Sequence, residues 1–262
     1  MEYISTRGSR VGSFQDALMK GLAQDGGLFV PSEWPQINTN DFKSDLSYED
    51  LTAIIVKPFI GSEIKDDDLQ NIIKNAYSDF SSPDPVTFKK ISQGEIIVEL
   101  FNGPTLAFKD FAMQLLIPIF DHFLNKESKQ MNLIVATSGD TGSAAIHAVN
   151  KSKCLNIFCL YPKGRVSEFQ RRQMSTVNSE RINLCEIDGT FDDCQNIVKE
   201  ILADKDFSGK HNISAVNSIN WARVMIQVVY YFFSALRLDN FESEYNFSVP
   251  TGNFGDVYAG YL

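Results

Sequence analysis

Beyond residue 90 short apolar runs, at 96–100, 133–136, 156–160, 182–186, 213–216 and 247–249, alternate with longer stretches whose apolar residues recur every three or four positions. Those helical stretches lie at 108–124, 143–150, 167–176, 191–202 and 221–238. A strand that must rejoin its sheet in parallel needs a crossover, and a helix is the usual one. The alternation therefore predicts an α/β fold: a mostly parallel, twisted sheet with helices on both faces. Ligands of such sheets bind beyond the carboxyl ends of the strands, so the loops that follow strands are where chemistry is expected.

Residues 1–90 read differently, as a small, mainly helical and rather polar region. Phe14, Ala17, Leu18 and Leu22 share one helical face, and Gln24-Asp25-Gly26-Gly27 stops that helix. Pro31, Pro35 and the polar stretch 38–47 mark a surface connection, and two more helices are expected at 48–60 and 67–80. Asp66-Asp67-Asp68 reads as a solvated acidic first turn rather than a metal site, since three adjacent carboxylates point in different directions on a helix. Ser81-Ser82-Pro83-Asp84-Pro85 is linker-like, which divides the chain into 1–90 and an α/β domain over 91–262.

With 262 residues, 44% of them apolar, the chain can fill a sizeable core. Its net charge of −9 argues against nucleic acid and anionic membranes, which demand a concentrated positive footprint. The opening MEYISTRGSR has no apolar segment behind it, and the longest apolar run, 224–236, is interrupted by Gln227 and is shorter than the roughly 20 residues a membrane span requires. A cytoplasmic protein is expected. Cys154, Cys159, Cys185 and Cys194 form no CxxC pair and the three histidines are far apart, so no metal site is expected; Cys154, Cys159 and Cys185 read as inert thiols in or near the core.

Four loops carry the candidate chemistry. In the first, ELFNGPTLAFKDF, Lys109 stands in the first turns of a helix among Leu106, Phe108 and Phe111. A helix N-terminus and apolar neighbours both favour the neutral amine, the form that attacks an aldehyde. A lysine that snorkels to solvent or pairs with Asp110 explains this segment equally well. In the second, Thr137-Ser138-Gly139-Asp140-Thr141-Gly142, small residues and hydroxyls at a helix start suit a carboxylate or phosphate. The third, Pro250-Thr251-Gly252-Asn253-Phe254-Gly255-Asp256, is another candidate phosphate cradle. The fourth, Tyr161-Pro162-Lys163-Gly164-Arg165, holds two cations that either hold a second phosphate or sit in solvent; Arg171 and Arg172 read as helix-surface charges. None is a Walker A or GxGxxG loop, which leaves a nucleotide-binding module without a fingerprint.

Taken together, YISTRG, the stretch from Phe14 to Pro31, GPTLAFKDFAMQLL, ATSGDTGSAA, LYPKGRVSEFQRRQM and PTGNFGD resemble the threonine synthases, of the tryptophan-synthase-like family of pyridoxal-phosphate (PLP) enzymes, fold type II. The resemblance runs the length of the chain, and its first two motifs with GPTLAFKDFA are specific to the synthases. It implies that Lys109 forms the Schiff base with pyridoxal 5′-phosphate and that Gly252, Asn253, Phe254, Gly255 and Asp256 hold the cofactor's phosphate. Asp140 would lie near the cofactor's 3′-oxygen, and Ser138, Gly139 and Thr141, with Thr105, would bind substrate. Lys163 and Arg165 are candidates for the substrate phosphate. The implied reaction is O-phospho-L-homoserine and water to L-threonine and phosphate, the last step of threonine biosynthesis. An amino-acid dehydratase of the same fold type, or a binding remnant without turnover, are the rival expectations. Members of this family continue well past the position of Leu262, through the residue that meets the pyridine nitrogen, so the chain reads as truncated. An incomplete sheet exposes an edge, and a monomer or weak homo-oligomer is expected.

Overall fold

The N-terminal stretch is not purely helical. In the computed structural model, which describes residues 1–38, 42–217, 220–239 and 241–262, β1 (Tyr3–Ser5), β2 (Arg10–Val11) and, after α1 (Phe14–Lys20), β3 (Phe29–Pro31) form an antiparallel sheet in the order β2-β1-β3. These strands of two or three residues fall below the length at which alternation is readable in sequence. Asp25 ties their loops together, accepting from the Ser5 hydroxyl at 2.7 Å and the Gly27 and Ser9 amides at 2.9 and 3.0 Å. Helices α2 (Tyr48–Ile60) and α3 (Asp66–Tyr77) follow, Ser47 capping the first by accepting from the Asp50 amide. In the acidic first turn of α3, Asp66 pairs with Lys57. Of the expected surface connection, 39–41 lie outside the described residues.

The run at 96–100 does not join the parallel sheet. It forms β5 (Glu95–Glu99), paired antiparallel with β4 (Thr87–Ser92) in a separate hairpin turned at Gln93-Gly94, where Gly94 has φ 86°. Its isoleucines are correspondingly open, Ile97 being 45% exposed. Long α4 (Lys109–Glu127) then leads into the main sheet: β6 (Met131–Ala136), α5 (Asp140–Val149), β7 (Leu155–Pro162), α6 (Glu168–Ser175), β8 (Ile182–Ile187), α7 (Phe191–Ala203), the short α8 (Lys205–Lys210) and β9 (Ile213–Ala215). The four strands run parallel in the order β8-β7-β6-β9.

Period-two alternation along β6 covers both faces of this sheet. Leu133 and Val135 enter the large core with Ala144, Ala145 and Val149 of α5, while Ile134 and Ala136 enter a smaller cluster with Cys194 and Val198 of α7. Helices thus lie on both faces, as the alternation predicts. The last long helix, α9 (Trp221–Asp239), packs against α2, α4 and the closing helix α10 (Gly255–Tyr261). Residues 247–249, expected as a strand, have no ladder among the described residues; Phe247 instead packs its ring 5.0 Å from that of Tyr231. A strand exists only through a hydrogen-bonded neighbour, and none of the described residues pairs with this segment. All four cysteines are free thiols, three of them buried, and burial pushes the Cys159 thiol well up.

Candidate active site

A cavity of about 300 Å³ opens at the carboxyl ends of the parallel strands. Thr137, Ser138, Asp140 and Thr141 reach it from the turn after β6, Phe191 from the turn after β8, and Asn217 from the turn after β9. Phe108 and Lys109 line it from the start of α4, and Gly252, Asn253, Gly255 and Asp256 from the loop before and into α10. Three of the four loops singled out in the sequence therefore meet around one space.

Lys109 is the first residue of α4, and its position is set by the loop before it. The Thr105 amide and hydroxyl both donate to the Asp110 carboxylate, each at 2.8 Å, which closes the Gly103–Asp110 turn. Gly103 packs so closely on Asp110 that any Cβ there would collide with its side chain. Burial raises the Asp110 carboxyl above its usual range, with the Thr105 bonds pulling the other way. Asp110 is thus taken up within its own loop and is not the partner of Lys109. The lysine Nζ lies 4.3 Å from the centroid of the Phe108 ring and donates to Asp140 Oδ2 at 3.1 Å. The apolar surroundings expected of Lys109 are present in Phe108, but a carboxylate from α5 shares them.

Asp140 is held from its other oxygen by Gln170 of α6. Between them lies Gly139, whose φ of 140° is a conformation that essentially only glycine adopts and whose missing Cβ leaves room for the Gln170 amide. Thr137 Oγ1 braces the same turn, accepting from the Gly139 and Gly142 amides at 2.9 and 2.8 Å. On the far side, Thr251 Oγ1 accepts from the Phe254 amide at 3.2 Å and donates to Asp256. Among the described residues no acceptor meets the backbone amides of Gly252, Asn253, Gly255 or Asp256.

Five expected site residues are not in the lining. Both donors of Thr105 are committed to Asp110. Gly139 has its amide turned to Thr137, and Phe254, at φ 60°, turns its ring outward and is 66% exposed. Lys163 and Arg165 are exposed beyond β7, whose register with β8 carries that loop outward through the Lys163 amide and the Ile187 carbonyl at 2.9 Å. Conversely, Arg223 and Gln227 of α9, with Asn217, line the cavity although no motif drew attention to them, and Thr251 lines it from within the third loop without having been expected as a site residue. The available signal was an arginine and a glutamine four residues apart in an apolar run, which puts both on one helical face.

Comparison with known proteins agrees with this geometry. Residues 2–77 match the family model described as threonine synthase N terminus, and residues 88–261 the one described as pyridoxal-phosphate dependent enzyme. The chain is 46% identical to a threonine synthase of Pseudomonas aeruginosa, over 100% of its own length and 56% of the relative's, and 45% identical to that of Saccharomyces cerevisiae, over 99% and 54%. It therefore spans little more than half the length of the curated relatives it matches. The crystal structure of a PLP-bound threonine synthase from Brucella melitensis superposes with a TM-score of 0.92 at 44% identity, covering 100% of this chain and 57% of that one; the Escherichia coli threonine synthase gives 0.87 at 33%, covering 100% and 60%. The match over residues 88–261, within which Lys109 and the 252–256 glycine loop line one cavity at the strand ends, shows that this chain belongs to the family of pyridoxal-phosphate-dependent enzymes.

Proposed function

We propose that this chain is the cofactor-binding part of a threonine synthase, acting on O-phospho-L-homoserine and water to give L-threonine and phosphate. One observation carries the reading: Lys109 and the Gly252–Gly255 loop line the same cavity. The residues present fit the cofactor. PLP is an aldehyde at one end and a phosphate at the other; the cavity lining offers both an amine, on Lys109, and four backbone amides that meet no acceptor among the described residues. When bound, PLP supplies an electron sink for charge developing next to the substrate's amino group.

The chain's own groups supply the rest. Lys109 Nζ would hold the cofactor's aldehyde carbon, and the same amine is the group placed to take protons from Cα and Cβ and to return them to Cγ, which loses phosphate and becomes the methyl group, and to Cα, while water adds at Cβ. Its tether keeps Nζ beside those carbons, so one base serves several transfers. Asp140, gripped by Gln170, fixes where Nζ rests between those transfers. Ser138 and Thr141 present hydroxyls to the substrate carboxylate, and Gly252, Asn253, Gly255 and Asp256 hold the cofactor's phosphate from the backbone. Thr105 contributes at one remove, by shaping the turn that carries Lys109. Among the described residues no helix is long and apolar enough to cross a membrane; a cytoplasmic protein, monomeric or weakly self-associating, is part of the same proposal.

The test is a visible absorbance spectrum of the purified chain with added PLP, before and after O-phosphohomoserine, with phosphate and ammonia assayed separately. Lys109→Ala should abolish both the absorbance band and phosphate release; retention of both defeats the assignment, and ammonia in place of phosphate makes the protein a dehydratase.

A further inference from the structure

Arg223 is 5% exposed, and its neighbours leave it short of an anion. Nη1 donates to the Val216 carbonyl at 3.2 Å, while the buried Nε meets no acceptor among the described residues. Of the groups that favour its charge Tyr230 comes first and the carboxylate of Asp256 second, and Asp256 does not pair with it: its Oδ1 accepts from the Thr251 hydroxyl and the Val257 amide. A guanidinium carries five N–H donors, and a cation stripped of water is costly unless it is paired. Burial pushes the group down to about 10, with Tyr230 and then Asp256 opposing, so at neutral pH it remains a cation.

The direction in which it looks for a partner follows from the helical period. Arg223, Gln227 and Tyr231 stand four residues apart on one face of α9. Tyr231 donates to the Asp256 carbonyl at 2.9 Å, which fixes that face against the 250–256 loop; Gln227 and Arg223, one and two turns earlier, line the cavity. Asn217 Oδ1, another buried atom without a partner, lines it too. Lys109 and Arg223 are the two cationic side chains of the lining among the described residues.

We propose that Arg223 is the buried cation of an anion pocket in this cavity and takes a phosphate monoester, with Gln227 hydrogen-bonding beside it. The proposal rests on the cofactor reading above for the identity of the phosphate, which belongs either to the cofactor or to the substrate. It gives the cavity the cation that Lys163 and Arg165, exposed outside the lining, do not supply.

Arg223→Gln and Arg223→Met remove the charge with different demands on packing. Each is compared with wild type by titration with PLP and with pyridoxal, followed by visible absorbance, and by thermal stabilisation with inorganic phosphate before and after PLP loading. If the cofactor's phosphate is the partner, the variants lose PLP affinity by roughly tenfold or more while pyridoxal, which lacks the phosphate, binds as before. If the substrate's phosphate is the partner, PLP affinity is retained and stabilisation of the PLP-loaded protein by inorganic phosphate disappears. In both cases the ligand-free variants melt at or above the wild-type temperature, because an unpaired buried charge has been removed. Wild-type binding of both PLP and inorganic phosphate by the variants overturns the proposal, as does a lowered melting temperature with phosphate binding intact, the signature of a purely structural arginine. A wild-type chain that gives no absorbance band with PLP defeats the cofactor reading, yet its stabilisation by inorganic phosphate, and the loss of that stabilisation in the variants, still decides the role of Arg223.

Discussion

Asp25 shows how one side chain can govern a whole turn system. The Ser5 hydroxyl, then the Gly27 and Ser9 amides, hold its carboxyl well below the usual carboxylate range. A carboxyl depressed in the folded state contributes stability that is present above its unfolded pKa, about 3.9, and is lost as the pH falls toward its folded value. Amides of β1 and β3 should therefore exchange faster, relative to their intrinsic rates, as the pH drops below about 4. Asp25→Asn should weaken this sheet already at neutral pH and remove its acid response; an unchanged acid response in that variant would assign it to another group. Gly139 poses a different residue-scale question, since its φ of 140° and the Gln170 amide both exclude a side chain. Gly139→Ala should cost about 1–3 kcal/mol in urea unfolding for the backbone strain alone, plus the collision. In Gly139→Ala/Gln170→Ala only the collision is relieved, so the two substitutions should couple by about 1 kcal/mol rather than add.

Single elements were legible where the information is local. The sequence places α2 at its observed bounds because Ser47 caps it and Gly61 ends it, and it places β6 and β7 within a few residues because both faces of the strands are covered. Residues 96–100 and 247–249 misled for the opposite reason. Both are apolar enough for a strand, but strand pairing is a relation between segments: one found its neighbour across a turn at Gln93-Gly94, and the other has none among the described residues. The candidate site divides in the same way. Lys109 and the glycine loops stood out as short linear motifs, whereas Arg223 and Gln227 were concealed in an apolar run whose helical face becomes meaningful only once it is known what packs against it. That packing is testable at α9. Tyr231→Phe deletes the hydrogen bond to Asp256 and should destabilise the protein by about 1 kcal/mol, and hydrogen exchange should show the loss in α10 before it appears elsewhere in α9.

At the scale of the whole chain, the linker-like composition at 81–85 suggests two regions, yet the contacts bind them into a common core. The Phe14 ring of α1 lies 6.3 Å from Phe123 of α4, and Asn220, three residues before Arg223, donates to the Leu18 carbonyl at 3.0 Å. Glu63 accepts from the amides of Phe14 and Gln15 at 2.7 and 2.8 Å, so the start of α1 is anchored by the segment between α2 and α3. Trp34 and Trp221 meet with ring centroids 5.6 Å apart, one from the N-terminal region and one from the first residue of the helix that carries Arg223. Because the chain has only these two tryptophans and they touch each other, their fluorescence responds to the contact between the regions. If the shared core makes them one cooperative unit, fluorescence and far-ultraviolet circular dichroism should follow the same urea transition. Phe14→Ala, at a cost of about 3–5 kcal/mol, should then shift both curves together without separating them. A tryptophan signal that changes at lower urea than the helical signal would mean that the N-terminal region detaches first. In that event α9, and with it the cationic wall of the cavity, would depend for its position on α4 and α10 alone.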